Sequence, residues 1–126
     1  MCPESGLDMY EIRVKAGFSA AHNLKNYRGK CERLHGHNWV AEAVFSYSAL
    51  DKAGMAIDFR VAKRSLENVA EKLDHSYLND MKLLKKMNPT SENIAKFIYD
   101  EVKKKNKNLK SILVWENEKS CAVYYE

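Results

Sequence analysis

An α+β fold in the order β-β-α-α-β-β is the architecture this sequence predicts. Three observations predict it. Two long stretches near the N-terminus alternate apolar and polar residues with period two. Two central segments carry apolar stripes at helical spacing behind good N-caps. The C-terminal end returns to short apolar runs around a polar turn.

In the first stretch Tyr10, Ile12, Val14, Ala16, Phe18, Ala20 and His22 share one parity, against Glu11, Arg13, Lys15, Gly17 and Ser19 on the other. Successive strand side chains point to opposite faces, so this is a long half-buried strand with His22 on its apolar face. The segment "NLKNYRGKCERL" breaks the pattern and reads as a loop. A second strand follows, with His35, His37, Trp39, Ala41, Ala43, Phe45 and Tyr47 on one parity. The two pair as a hairpin with a long connection. "SALDKAG" is a turn. Asp58 caps a helix over 59–73, whose stripe is Phe59, Ala62, Leu66, Val69 and Leu73. Thr90, in "NPTSEN", caps a second helix with Ile94, Phe97, Ile98 and Val102 on its apolar face. "SILVWENEKSCAVYY" reads as two short strands around a polar turn, with Cys121 a small core residue. Four strands with both helices on one face leave the other sheet face to be covered, and an oligomer is one way to cover it.

The chain has 126 residues and neither repeats nor a Pro/Gly-rich linker, so 1–126 read as a single domain. No apolar run approaches the ~18 residues a membrane helix needs. The N-terminus lacks the basic and apolar regions of a signal peptide, and three irregularly spaced cysteines fit a reducing compartment, so a cytoplasmic location is expected. Much of the net charge of +4 lies in "VKKKNKNLK". This reads as a solvated helix end rather than a nucleic-acid patch, since no aromatic residue interleaves the lysines.

Two of the four histidines stand in "CERLHGHNWV". On a strand, residues i and i+2 project to the same side, so His35 and His37 can reach one ion together; on a helix they would diverge by ~200°. A buried histidine alone is more often a core residue than a ligand. An H-x-H pair with His22 at matching parity on the neighbouring strand points instead to three converging imidazoles. Zinc suits three nitrogen ligands with an open fourth position. Cys31 either closes a structural Cys-His₃ site or stands beside the metal as a proton-moving thiolate, its pKa lowered by the cation and by Lys30 and Arg33. Asp74 and His75 follow a helix end. They are either a carboxylate orienting an imidazole or a cationic histidine meeting the helix dipole. Glu116 shares parity with Ile112 and Val114; it either reaches solvent or accepts an amidine-like N–H pair, such as that of a pterin or guanine ring.

Together "FSAAH", "CERLHGH", "GMAIDF", "LDHSYLND", "NPTSENIA" and "VWEN" resemble, in order and over nearly the whole chain, the 6-pyruvoyltetrahydropterin synthase family. The closer likeness is to its bacterial 6-carboxytetrahydropterin synthase branch. The resemblance implies zinc on His22, His35 and His37, Cys31 as thiolate base, Asp74 and His75 as a proton-relay pair, and Glu116 as the carboxylate anchoring the pterin ring. It also implies that Thr90 and Ser91 line the pterin pocket. The implied architecture is the tunnelling fold, a homohexamer built as a dimer of trimers with active sites at subunit interfaces. The implied substrate is 7,8-dihydroneopterin triphosphate. The implied products are 6-carboxy-5,6,7,8-tetrahydropterin, acetaldehyde and triphosphate, on the route to queuosine and other deazapurines.

The C-x₃-H-G-H spacing resembles this branch rather than the animal-type enzymes making 6-pyruvoyltetrahydropterin, which carry a longer gap. Glu32 complicates the choice. The chain also reads E-x₂-H-G-H, resembling a branch that uses a glutamate to make 6-hydroxymethyl-7,8-dihydropterin for folate. Glu32 is therefore either a second catalytic residue or an exposed loop charge. A non-enzymatic Cys-His₃ zinc module is the competing class. For the triphosphate, Arg13, Lys15 and Lys25 are candidates by charge alone.

Overall fold

The computed structural model describes residues 9–25, 33–84 and 87–126. Cys31 and Glu32 lie outside the described residues. Strands β1 (Tyr10–His22) and β2 (His35–Tyr47) pair antiparallel along their whole length, from Tyr10↔Tyr47 to His22↔His35. They form the middle of a five-stranded sheet ordered β3-β1-β2-β4-β5, with β3 at Ser76–Tyr77, β4 at Leu109–Trp115 and β5 at Cys121–Tyr125. Helix α1 (Phe59–Leu73) packs on β1, and α2 (Ser91–Lys103) on β4 and β5.

The predicted parity becomes the core. Phe18 and Ala20 of β1, Trp39, Ala41 and Ala43 of β2, and Ile112 and Val114 of β4 are buried beneath the helices. The alanines are small enough to let α1 and α2 settle close to the sheet, where Leu66, Leu73, Ile94 and Ile98 are fully enclosed. Both helices start where their caps dictate. Asp58 accepts a hydrogen bond from the Arg60 amide at 2.8 Å, and Thr90 one from the Asn93 amide at 3.1 Å. Leu66→Ala is expected to destabilise the fold by about 2–5 kcal/mol, because a close-packed site collapses only in part around the missing atoms. Urea unfolding checks this, as a lower midpoint at unchanged slope; a midpoint equal to the parent's would contradict it.

Three expectations need correction. The sheet has a fifth strand. The two residues of β3 pair parallel with Ala20 and Ala21 of β1, and a two-residue element carries no alternation to read. Phe59 is 64% exposed, although its angle places it on the stripe of α1. Periodicity reports direction around the axis, and at the first turn it points beyond the sheet into a cleft shared with Tyr10, Leu50 and Met55. Cys121 is exposed rather than core. On the edge strand β5 only Ala122 and Tyr124 face inward, Tyr124 meeting the Tyr99 ring of α2 at 5.0 Å.

No helix among the described residues is long and apolar enough to cross a membrane. On the helix-free side of the sheet, Glu42 is buried between the Trp115 indole N–H, at 3.1 Å, and the Arg13 guanidinium, at 3.7 Å.

Candidate metal centre

His22 ends β1 and His35 begins β2, and the hairpin register sets them directly opposite, with His37 across from Ala20. All three imidazoles therefore emerge on the helix-covered side at one end of the sheet. The Nε2 atoms of His22 and His35 are 2.9 Å apart. These two rings are held from behind. His22 Nδ1 donates to the Pro89 carbonyl and His35 Nδ1 to the Arg33 carbonyl, both at 2.7 Å. Trp39 packs edge-on against His22 and His37, its own N–H satisfied by the Ala20 carbonyl at 3.1 Å.

These contacts settle the tautomers. A carbonyl only accepts, so both Nδ1 atoms carry hydrogen, and in the neutral rings both Nε2 atoms present lone pairs. Two lone pairs at 2.9 Å repel unless a cation lies between them. Burial pushes the His22 pKa down, more strongly than the Pro89 carbonyl raises it, and so favours the neutral ligand form. His37 Nε2 comes within 2.7 Å of Glu116 Oε2 without the alignment of a hydrogen bond, and it is a buried polar atom with no hydrogen-bond partner. Among the described residues, donor atoms of His22, His35, His37 and Glu116 all lie within 4.8 Å of one another. Three imidazole nitrogens and a carboxylate, with outer hydrogen bonds in place behind His22 and His35, fit a divalent transition ion and could hold one.

Glu116 follows Trp115, which pairs with Val40 of β2, and so continues alongside Trp39 toward the histidines. Its Oε2 lies 3.7 Å from His22 Nε2 and 3.9 Å from His35 Nε2. Its Oε1 accepts a hydrogen bond from Ser91 Oγ at 3.3 Å. The sequence gives no sign of this contact with His37. Thr90 Oγ1 is engaged as the cap of α2. Sequence reasoning also missed the Pro89 carbonyl. The one available signal is its place just before the Thr90 cap, where Asn88 exchanges two hydrogen bonds with the Lys25 backbone and ties the helix start to the chain beyond His22.

Asp74 and His75 lie against each other, Nδ1 to Oδ2 at 3.0 Å. Neighbouring residues usually point apart. Here His75 has a φ of 56°, the sole positive value outside glycine among the described residues. Such a conformation for a non-glycine residue costs of order 1–3 kcal/mol and persists only where its surroundings enforce it. The Ser19 backbone does so from both sides, donating its N–H to Asp74 Oδ1 at 2.8 Å and accepting from the His75 amide at 2.6 Å. The His75 side chain is 84% exposed and shares a groove of about 360 Å³ with Gly36, His37 and Asn38. Of the imidazole cluster, His37 is the member that lines this groove.

The Ser19 amide, and after it the charge of His75, hold the Asp74 carboxyl below its ordinary value of 3.8. A lowered value means that this carboxylate stabilises the fold above its ordinary pKa, and that the contribution is lost as pH falls through the folded value. Asp74→Asn, which keeps an acceptor but does not titrate, is expected to flatten the acid limb of stability against pH. Urea midpoints between pH 6 and pH 3 check this; parallel curves for the two proteins would count against it.

Similarity to known proteins agrees with this geometry. The sequence model of 6-pyruvoyl tetrahydropterin synthase matches residues 11–126. The Synechocystis 6-carboxy-5,6,7,8-tetrahydropterin synthase is 37% identical, over 93% of this chain and 94% of that protein. The Pyrococcus furiosus dihydroneopterin monophosphate aldolase is 36% identical, over 83% of this chain and 88% of that one. Among solved structures, Caenorhabditis elegans 6-pyruvoyl tetrahydropterin synthase superposes with a TM-score of 0.85 at 26% identity, covering 94% of this chain and 96% of that one. With its fold and almost its full length matched, the chain belongs to the 6-pyruvoyl tetrahydropterin synthase family and is an enzyme of the lyase type.

Proposed function

We propose that this chain converts 7,8-dihydroneopterin triphosphate and one water to 6-carboxy-5,6,7,8-tetrahydropterin, acetaldehyde and triphosphate, with zinc held by His22, His35 and His37. The observation that carries the reading is the convergence of three imidazoles and Glu116 on one point. The name of the Synechocystis relative supports the product. When bound, zinc supplies Lewis acidity toward the side-chain hydroxyls of the substrate.

The residues then divide the work. Asp74 engages Nδ1 of His75 and leaves Nε2 as the atom that exchanges a proton with the substrate side chain. Cys31 removes a proton on the other face as a thiolate. Glu116, with Ser91 beside it, accepts the N–H pair of the pterin ring, and Thr90 shapes the pocket while capping α2. A homohexamer of two trimers covers the helix-free sheet face and completes sites between subunits. The product feeds deazapurine synthesis, as in the queuosine route, in the cytoplasm.

A second reading is favoured by the Pyrococcus relative, nearly as similar and named for an aldolase reaction. In it Glu32 supports side-chain cleavage to 6-hydroxymethyl-7,8-dihydropterin. Mass spectrometry of the products formed by zinc-loaded protein from 7,8-dihydroneopterin triphosphate decides between them. The carboxylated product with acetaldehyde supports the first; the hydroxymethyl product, lost in Glu32→Ala, supports the second. A Cys31→Ala variant that lost zinc and stability together, instead of turnover alone, would overturn both in favour of a structural zinc module.

A further inference from the structure

His22 is the last residue of β1, so the strand ladder stops at the residue that must place a buried imidazole. Two asparagine side chains take over beyond it. Asn79 accepts from the Asn23 N–H at 3.0 Å and donates to the Asn23 carbonyl at 2.9 Å. Asn88 does the same for Lys25, at 2.8 and 2.9 Å. A carboxamide offers a donor and an acceptor side by side, as a peptide group does. Each asparagine therefore stands in for a residue of a paired strand, and residues 23 and 25 are held at the two-residue interval of an antiparallel ladder.

We propose that Asn79 and Asn88 are positioning residues for the metal centre, acting through His22. The inference rests on the proposed function, in which His22, His35 and His37 hold the ion. Asn88 acts through the carbonyl behind the ring. Its backbone is fastened to the start of α2, its own carbonyl accepting from the Thr90 N–H and from Asn93 Nδ2, both at 2.8 Å. The next residue, Pro89, presents the carbonyl that accepts from His22 Nδ1 at 2.7 Å. One bracket thus grips the chain three residues past His22 with a side chain, and the His22 ring with the adjoining carbonyl. Asn79 acts on the backbone. It follows Leu78, which is fully buried, and Tyr77, whose hydroxyl donates to Asn23 Oδ1. Ser76 and Tyr77 also pair with Ala20 and Ala21, so the segment 76–79 splints the chain on both sides of His22. These bonds suit placement more than stability. Lys25 is exposed, and water satisfies its backbone groups when the side chain is lost. What goes is the fixed geometry, and metal affinity responds strongly to the outer partners that orient a ligand.

Cobalt binding by the full chain, measured in competition with a chelator, tests this without turnover, and ligand-field bands report the coordination of the ion. Asn79→Ala and Asn88→Ala are each expected to bind cobalt about 10–100-fold more weakly than wild type, with shifted bands. Asn79→Gln and Asn88→Gln keep both groups on an arm one carbon longer, guard against misfolding, and are expected to fall between. Asn108→Ala is the control. That side chain donates to the Ser46 carbonyl at 3.0 Å, near the far end of β2, and its loss is expected to leave affinity and bands as in wild type. Wild-type affinity and bands in Asn79→Ala or in Asn88→Ala overturn the inference for that residue and leave the proposed function standing. An equal loss in Asn108→Ala overturns it for both, because the effect then follows stability alone. A wild-type chain that takes up no cobalt overturns the proposed function and the inference with it.

Discussion

His35→Ala is expected to lose its metal and its activity together while keeping its fold. The ring is a quarter exposed at the start of β2, and the pairing of this residue with His22 is a backbone contact that alanine preserves. Removing a directly bonded nitrogen should weaken metal binding by more than the 10–100-fold typical of losing an outer-shell partner. Metal content by mass spectrometry, with thermal unfolding alongside, is the measurement. The unfolding temperature should fall to that of chelated wild type, since a ligand present at 100 times its Kd contributes about 2.7 kcal/mol to the folded state. His22→Ala should go further. That ring is 1% exposed against Trp39, so its loss empties core space as well as a ligand position, and the variant should fall below chelated wild type. A His35→Ala protein that retained one equivalent of metal would remove His35 from the ligand set.

His75→Ala is expected to separate chemistry from binding. The side chain reaches into the groove and supports no core, so metal content and KM should stay near wild type. A positioned general acid or base contributes typically 10²–10⁴-fold, and kcat should fall by that factor. The backbone adds a second readout. Alanine at a φ of 56° keeps the strain of a β-carbon there, and glycine relieves it. His75→Gly should therefore be as inactive as His75→Ala and more stable by about 1 kcal/mol. Equal kcat in His75→Ala and wild type would exclude the imidazole from the reaction. Equal stability of the two variants would mean that the Ser19 contacts do not impose the strain.

Much of this site was legible before any coordinates. Strand alternation is a rigid period, so the parity of Ala20 with His22 and of His35, His37 and Trp39 already placed three imidazoles on one side of a hairpin. The caps Asp58 and Thr90 were equally readable, since a side-chain oxygen before an apolar stripe has a local effect. Local signals failed at the ends of elements. Phe59 continues a stripe past the point where the sheet stops, Cys121 lies on an edge strand, and β3 is too short to show a period.

What the sequence by itself determined is therefore the set of elements, the faces they bury, and the identity of the histidines that can meet. The tertiary structure alone decided what surrounds them. The Pro89 carbonyl that sets the tautomer of His22 comes from 67 residues away. The Ser19 backbone that twists His75 onto Asp74 lies 55 residues before that aspartate. Glu116 reaches the imidazoles only because β4 pairs with β2 in one register. The physical reason is common to all three. Periodicity and capping are written in neighbours along the chain, whereas a hydrogen-bond partner across the fold is fixed by packing and leaves no pattern in either segment.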